Sequence, residues 1–218
     1  MQSPPTKGSV YPEQETRVII PAKVSAIKTQ RLYLRPIERS DAADIFEYRR
    51  RQDVADFLWP KIPHREIQDT EAMIIGKTFK TPDASGALGR HFSFAVMQLD
   101  DPTEKIIGMV GINALVPAPS IGYGIHPDFW GKGFVSEAVA GVVDAWWKLE
   151  RKSLKLRSAK AALESEKLYA ACNKANVGSV KVLLRNGFEI YEEMPLMGDT
   201  VTLFSLQRPG GLETALDL

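Results

Sequence analysis

The chain has 218 residues, of which 44% are hydrophobic and 25% are charged. These values are typical of one globular domain that buries a sizeable core, and they exclude wholesale disorder. The formal net charge is +1, which excludes a global field that draws the protein to nucleic acid or to an acidic membrane. A single cysteine excludes an internal disulfide, and the three scattered histidines show no metal-ligand spacing.

The N-terminal residues 1–27 contain several prolines among polar residues, so we expect a flexible leader with one short extended piece at Val18 to Ile20. No apolar run resembles a signal peptide or approaches the roughly 20 residues that span a bilayer. We therefore expect a cytoplasmic protein, with access to the nucleus left open, that does not contact membranes. The domain is expected to cover residues 28–208, followed by a C-terminal tail at 209–218.

The first half of the domain is predicted to contain two helices between strands. Apolar and basic residues alternate over 31–36, which predicts a half-buried strand. Ser40 is predicted to cap a helix over 41–51, and 65–79 has the spacing of a second amphipathic helix. Three antiparallel strands joined by short connections are then predicted at 92–99, 106–115 and 120–125.

The second half begins with a long helix from Val135 to Leu149, where the apolar spacing becomes helical. The stretch 148–160 is strongly basic and 161–167 favours helix; a solvated helix surface is preferred over a site for an acidic partner such as ribosomal RNA. A strand, a helix and two closing strands are predicted at 168–172, 177–185, 188–191 and 200–206. Because the middle strands lack crossover helices, this order indicates an α/β or α+β three-layer arrangement rather than a doubly wound parallel sheet.

The most informative segment runs from Ile121 to Ala138 and is predicted to be a strand, a tight loop and a helix. Gly131 and Gly133 would let several backbone N–H groups converge on an anion, and the helix that follows adds its partial positive end. A pyrophosphate fits such a loop, with Lys132 as a further positive charge, although the loop is neither a Walker loop nor a dinucleotide fingerprint. On the two glycines alone, an ordinary turn is the stronger interpretation.

In its longer context this segment resembles the GNAT acetyltransferases, and among them the branch of ribosomal-protein N-terminal acetyltransferases. Gly122-Tyr123, His126-Pro127 and the run from Trp130 to Ala138 stand at the family spacing. The opening strand at 29–36 and the Asn-x-x-Ser helix with its terminal Gly-Phe at 176–188 are also similar, so the resemblance covers about residues 29–208. It implies a mixed, mostly antiparallel central sheet that is splayed at the middle and flanked by helices on both faces.

The resemblance further implies an N-acetyltransferase that uses acetyl-CoA as cosubstrate and no metal. An amine attacks the thioester directly, without an acyl-enzyme, so Cys172 need not be a nucleophile. The implied cofactor-binding residues are Gly124, Ile125, His126, Trp130, Gly131, Lys132, Gly133, Phe134 and Val135. Asn176 and Ser179 would contact the pantetheine arm and the thiol, and Ser179 is the candidate donor to the departing sulfur.

The acceptor site and the general base are less defined. The candidate lining residues are Tyr33, Trp59, Phe92 and Tyr123, with core packing as the alternative for each. Many relatives carry a carboxylate on the strand before Gly-Tyr, whereas this chain has Ser120. Glu137 is expected to tie its helix to the glycine loop, and His126 to shape that loop, with a titratable role as its alternative.

The acceptor is either the α-amine of a protein or a small-molecule amine, and the protein is expected to be a monomer or a homodimer. Two other functions remain open. One is an acyl-CoA-binding regulatory module without turnover, which Ser120 motivates. The other is a nucleic-acid or ribosome-associated protein that uses the basic stretch 148–160, and the net charge disfavours it.

Overall fold

A computed structural model describes residues 10–152 and 166–209. The described part contains an eight-stranded sheet in the order β1-β2-β3-β4-β5-β6-β8-β7. The strands are β1 Ile27–Lys28, β2 Leu32–Pro36, β3 Phe92–Gln98, β4 Ile106–Ala114, β5 Ser120–Ile125, β6 Lys167–Asn173, β7 Glu189–Leu196 and β8 Asp199–Gln207. The helices are α1 Ala42–Arg49, α2 Gln52–Ala55, α3 Ile67–Ile75, α4 Phe134–Lys148 and α5 Val177–Arg185. Neighbouring strands are antiparallel except β5 and β6, which are parallel.

Helices cover both faces of the sheet because the strands are apolar on both sides. On one face, Val139, Val142 and Trp146 of α4 are fully buried in the larger core cluster. On the other, Ile45 of α1 and Ile74 of α3 belong to a second cluster with the inward side chains of β3 and β4. This three-layer arrangement with a mixed, mostly antiparallel sheet confirms the predicted fold class.

The predicted cap of the first helix is wrong. A 3-10 turn at Arg39–Asp41 precedes α1, and Glu38 caps that turn in a reciprocal capping box with Asp41, so Ser40 is not the cap. The second helix is shorter than predicted, because its capping box places Glu66 outside the helix and Gly76 ends it. The four-residue helix α2 has too few residues to show a helical period in the sequence.

The segment 10–26 packs against the sheet, which corrects the expectation of a flexible leader for this part of the chain. Val18 and Ile20 are 0% and 2% exposed and belong to the larger core cluster. Val18 forms a β-bridge with Arg151, and the Ile20 amide donates to Asp83 Oδ2 at 2.8 Å. Apolar side chains next to proline can pack in an extended conformation, so the prolines here did not imply mobility. Residues 1–9 and 210–218 lie outside the described residues.

The basic stretch 148–160 and the helix-favouring stretch 161–167 are described only at their two ends, since residues 153–165 lie outside the described residues. A buried ion pair joins these ends: Arg151 Nε lies 2.8 Å from Glu166 Oε2, and the two side chains are 5% and 4% exposed. Lys167 begins β6 instead of continuing a helix. Among the described helices, none has the length and apolar character to cross a membrane.

Candidate functional site

Strands β5 and β6 diverge close to the point where they first meet. In the described chain their register contains one pair, Ser120 with Tyr169. Beyond it, β5 pairs only with β4, and the amide of His126 donates to Ile107 O at 2.8 Å. Because alternate residues of an antiparallel strand bond to the same neighbour, the N–H and C=O groups of Tyr123 and Ile125 point away from β4. We call this opening between residues 121–125 and 170–173 the gap.

This alternation distinguishes the residues of the implied cofactor contact from one another. Gly124 and His126 direct their amides towards β4, so Ile125, and Tyr123 before it, offer the backbone groups that face the gap. The splay predicted from the family resemblance is therefore present. Of the three implied strand residues, Ile125 is the one whose amide faces the gap.

The glycine loop, residues 126–133, leads from β5 into α4. Gly131 and Gly133 have φ angles of 73° and 79°, in the left-handed region that favours glycine. Within the described ranges, the backbone N–H groups of Gly131, Lys132 and Gly133 donate no hydrogen bond. A Cβ placed on Gly131 would have no other heavy atom within 4 Å. Unbonded N–H groups next to the positive end of a helix form a site for an anion such as a pyrophosphate.

Arg31 and Glu137 fix the position of the loop. Glu137 accepts hydrogen bonds from Thr29 Oγ1 at 2.6 Å and from the amide and Nε of Arg31, each at 2.7 Å. Arg31 Nη1 donates to Lys132 O at 3.1 Å, and its guanidinium lies 4.7 Å from the centre of the Phe134 ring. These contacts agree with the structural role expected for Glu137.

Replacing Glu137 by Gln is expected to lower the free energy of unfolding by about 1–3 kcal/mol, because three donors lose a charged acceptor. Burial acts to raise the pKa of Glu137, but the hydrogen bonds from Thr29 and Arg31 outweigh it and hold the pKa below its ordinary value of 4.5. The stabilisation by the ionised Glu137 carboxylate is thus present above about pH 4.5 and is lost as the pH falls through the folded-state pKa. Urea unfolding at pH 7 and at pH 3.5 measures the difference.

The matched control is Glu47→Gln, which removes an ion pair with Lys105 in which both side chains are more than 40% exposed. Its expected effect is below about 1 kcal/mol at either pH. Equal losses in the two variants, or a Glu137→Gln effect of the same size at both pH values, contradict the assigned role of Glu137.

Asn176 and Ser179 lie at the start of α5, across the gap from Tyr123. The side-chain oxygen of Asn176 caps the helix by accepting from the Ser179 amide at 3.0 Å, and Tyr123 Oη donates to Ser179 O at 3.3 Å. The structure therefore brings these three predicted residues together. The Ser179 side chain also hydrogen-bonds to Tyr123, and a hydroxyl that accepts there can still donate its own proton to a ligand.

The other three aromatic residues that were predicted to line the acceptor site lie apart from one another. Trp59 lies in the connection that reaches β8, where its Nε1 donates to Asp199 Oδ2 at 3.3 Å. Tyr33 lies on β2, separated from β5 by two strands. Phe92 is 1% exposed and packs edge-on against Trp146. Phe92 is therefore a core residue, which is the alternative that the strand pattern left open for it, while Tyr33 is 39% exposed and its place in an acceptor channel stays a prediction.

Trp130 belongs to the glycine loop, as the family spacing implies. Its Nε1 donates to Ile125 O at 3.1 Å, which joins the loop to the end of β5, while 44% of the residue is exposed. His126 accepts from the Asp128 amide through Nδ1 at 3.2 Å and so caps the following 3-10 turn. The remaining loop positions, Lys132, Phe134 and Val135, lie where the sequence places them, at the start of α4.

Cys172 is a buried residue of β6. It belongs to the larger core cluster, and burial raises the pKa of its thiol to about 11. The thiol is therefore protonated at neutral pH and is a poor nucleophile. This agrees with the expectation that Cys172 is not catalytic. In the described ranges, no group of three or more His, Cys, Asp or Glu side chains is arranged to hold a metal ion.

The N-terminal segment contributes a residue that sequence analysis missed. Tyr11 hydrogen-bonds to Ser120 at the closed end of the gap, and its ring centre lies 5.7 Å from that of Tyr169. Burial raises the pKa of Tyr11 to about 12, so its hydroxyl stays protonated at neutral pH. No local motif could have found this contact, because it joins positions more than a hundred residues apart.

Comparisons with known proteins agree with this geometry. Residues 31–189 match the family model described as acetyltransferase (GNAT) domain. Uncharacterized N-acetyltransferase p20 of Bacillus licheniformis is 28% identical over 169 residues, which cover 76% of this chain and 83% of that protein. A GNAT-family acetyltransferase from Bacillus anthracis is similar with a TM-score of 0.62 and 17% identity, over 84% of this chain and 99% of that one.

A second solved structure is RimL, the ribosomal L7/L12 alpha-N-protein acetyltransferase in complex with coenzyme A. It is similar with a TM-score of 0.62 and 18% identity, over 84% of this chain and 98% of that chain. At these identities the two solved structures establish a shared fold.

Proposed function

The chain belongs to the GNAT acetyltransferase family and is an acyltransferase, and we propose that it transfers acetyl from acetyl-CoA to a primary amine by direct attack in a ternary complex. The observation that carries this proposal is the gap between β5 and β6, which opens directly beside a loop of unbonded N–H groups. The acceptor is the N-terminal α-amine of a protein or a small-molecule amine. RimL, which shares the fold, is described as an alpha-N-protein acetyltransferase.

The residues present fit acetyl-CoA. The amides of Gly131, Lys132 and Gly133, with the positive end of α4, suit the pyrophosphate. The N–H and C=O groups of Tyr123 suit the amides of the pantetheine arm, which they would bind as a neighbouring strand does. When bound, the cosubstrate supplies an activated thioester. The chain itself supplies orientation and hydrogen-bond donors.

In the proposed reaction the amine nitrogen bonds to the thioester carbon and the carbon–sulfur bond breaks. One proton leaves the nitrogen and one reaches the departing sulfur. An N–H of the splayed strand, at Ile125, would polarise the carbonyl, and the Ser179 hydroxyl would donate to the sulfur. Ser120 cannot act as a base at neutral pH, so we propose that the amine enters uncharged or loses its proton to water.

The test is a two-substrate kinetic experiment with acetyl-CoA and a panel of peptide N-termini and small amines, followed by thiol release and by mass spectrometry of the product. Direct attack predicts intersecting double-reciprocal lines and no acetylated enzyme. Cys172→Ala is expected to retain at least about half of the turnover, because the thiol is protonated and takes no part. Parallel lines with an acetylated protein contradict direct attack. Binding of acetyl-CoA without any product across the panel favours a regulatory module instead.

A further inference from the structure

The side of β5 that faces away from α4 is covered by polar side chains from α1, β4 and the segment after α3. A Cβ built on Gly124 would lie 3.6 Å from Cε2 of Tyr48, and one built on Gly122 would collide with the side-chain amide of Asn113. Lys77 Nζ donates to Asn113 Oδ1 at 2.9 Å. This polar region therefore reaches the wall of the gap on the side opposite to α4 and α5.

Three basic residues meet in this region, and we call Arg49, His64 and Lys77 the basic cluster. Arg49 Nη2 lies 3.1 Å from His64 Nε2, and His64 Nδ1 lies 2.7 Å from Thr70 Oγ1. Because a guanidinium can only donate, Nε2 is the acceptor and Nδ1 carries the proton, which it donates to Thr70. His64 is therefore neutral, and burial together with the nearby Arg49 lowers its pKa.

Among the described residues, no carboxylate forms an ion pair with Arg49 or Lys77. Burial and Tyr48 act on the pKa of Arg49, and burial and Arg49 act on that of Lys77; no Asp or Glu is among these groups. Arg49 Nε is buried and, within the described residues, has no hydrogen-bond partner; the same holds for the hydroxyl of Tyr48. Burial, followed by the charge of Arg49, lowers the pKa of Lys77 to about 8. Arg151, by contrast, is paired with Glu166.

Arg49 and Lys77 are half-buried, but the Nε–H of Arg49 is buried without an acceptor, which is unfavourable, and an anionic ligand is the group that would satisfy it. We propose that Arg49 and Lys77 form a subsite for an oxyanion, a carboxylate or a phosphate, on the amine acceptor. The enzyme therefore selects anionic amines over neutral ones. This inference rests on the proposed function, because it assigns the acceptor side of the same gap. An oxyanion is the matching chemistry, since a guanidinium and an ammonium both bind it through charge-assisted hydrogen bonds.

The subsite can be tested without turnover by NMR titration of the full chain with its lysines 13C-methylated, which preserves their charge. The Lys77 signal is identified by its loss in Lys77→Arg and is expected to titrate near 8. Addition of succinate or inorganic phosphate is expected to raise that midpoint by at least about half a unit, because a bound anion favours the ammonium form. Lys105, which pairs with Glu47 on the surface, serves as the internal control and should not shift. An unchanged Lys77 midpoint, or an equal shift at Lys105, overturns the proposal.

Selectivity is tested with acceptors that differ only in charge. One pair consists of peptides with Asp or Asn at the second position, and the other of phosphoethanolamine and ethanolamine; the two pairs separate a carboxylate from a phosphate. The wild-type enzyme is expected to prefer the anionic member of at least one pair by about tenfold or more in kcat/KM, and Lys77→Met should reduce that ratio towards one. Lys105→Met, which changes the net charge equally, should keep it.

A preference that survives in Lys77→Met, or no preference in the wild type, overturns the proposal. No turnover with any acceptor would instead count against the proposed function, while the lysine titration still decides the anion site by itself. The two failures are therefore distinguishable.

Discussion

Gly131→Trp is expected to raise the dissociation constant for acetyl-CoA by at least about 100-fold. The position has a φ of 73° and open space beyond its Cα, so we expect an indole there to fill space that the bound pyrophosphate needs. A tryptophan also disfavours this backbone conformation, which would move the neighbouring amides. Loss of two charge-assisted hydrogen bonds, each about 1.5–3 kcal/mol, accounts for a change of that size. Equilibrium dialysis with labelled acetyl-CoA measures it.

The matched control is Gly86→Trp. Gly86 has a φ of 89° and also meets nothing within 4 Å of a built Cβ, but it lies in the connection between α3 and β3. That connection contacts Val18, which bridges Arg151 beyond the opposite end of α4. The control therefore places tryptophan at the same kind of positive φ angle without blocking the glycine loop. Its dissociation constant for acetyl-CoA should stay within about twofold of the wild-type value. Equal losses in both variants would show that strain, not the loop, controls binding.

Arg151→Met is expected to lower the free energy of unfolding by about 3–5 kcal/mol, because it leaves the carboxylate of Glu166 buried with a weakened set of partners. Arg151 also donates to Trp146 O at 3.0 Å and to Leu149 O at 2.6 Å, where it caps the end of α4. The side chains of the pair are 5% and 4% exposed, so water cannot replace the lost partner. Urea unfolding of the two proteins measures the difference.

Two comparisons isolate the cause. Lys148→Met removes the exposed pair with Asp144 at the same helix end and should cost less than about 1 kcal/mol. The double variant Arg151→Met with Glu166→Met replaces the whole pair by apolar groups and should recover part of the loss. A double variant that is no more stable than Arg151→Met alone contradicts this interpretation.

The sequence predicts well those features that depend on local pattern. The strands β3, β4 and β5 and the helix α4 follow the predicted bounds closely, because alternation and helical spacing are visible within a few residues. The glycine loop is also local: two glycines with positive φ angles and a helix that starts directly after them. Its resemblance to a known family extends this local evidence to the splay of β5 from β6.

Contacts between distant segments were beyond sequence analysis. Tyr11 reaches Ser120, and Arg49 meets Lys77, only because the fold brings α1, the end of α3 and the N-terminal segment to the same strand. Single polar residues on separate elements carry no spacing signal. The same limit explains the misplaced Phe92, since the alternation that predicts a strand does not say whether an aromatic side chain faces the core or a ligand.

The measurement that tests the account most directly is a calorimetric titration of the wild-type chain with acetyl-CoA. The arrangement of the gap and the glycine loop predicts one molecule bound per chain with a dissociation constant of about 1–100 μM. No saturable binding up to about 1 mM would contradict the account, because the unbonded amides and the splayed strand would then serve no acyl-CoA.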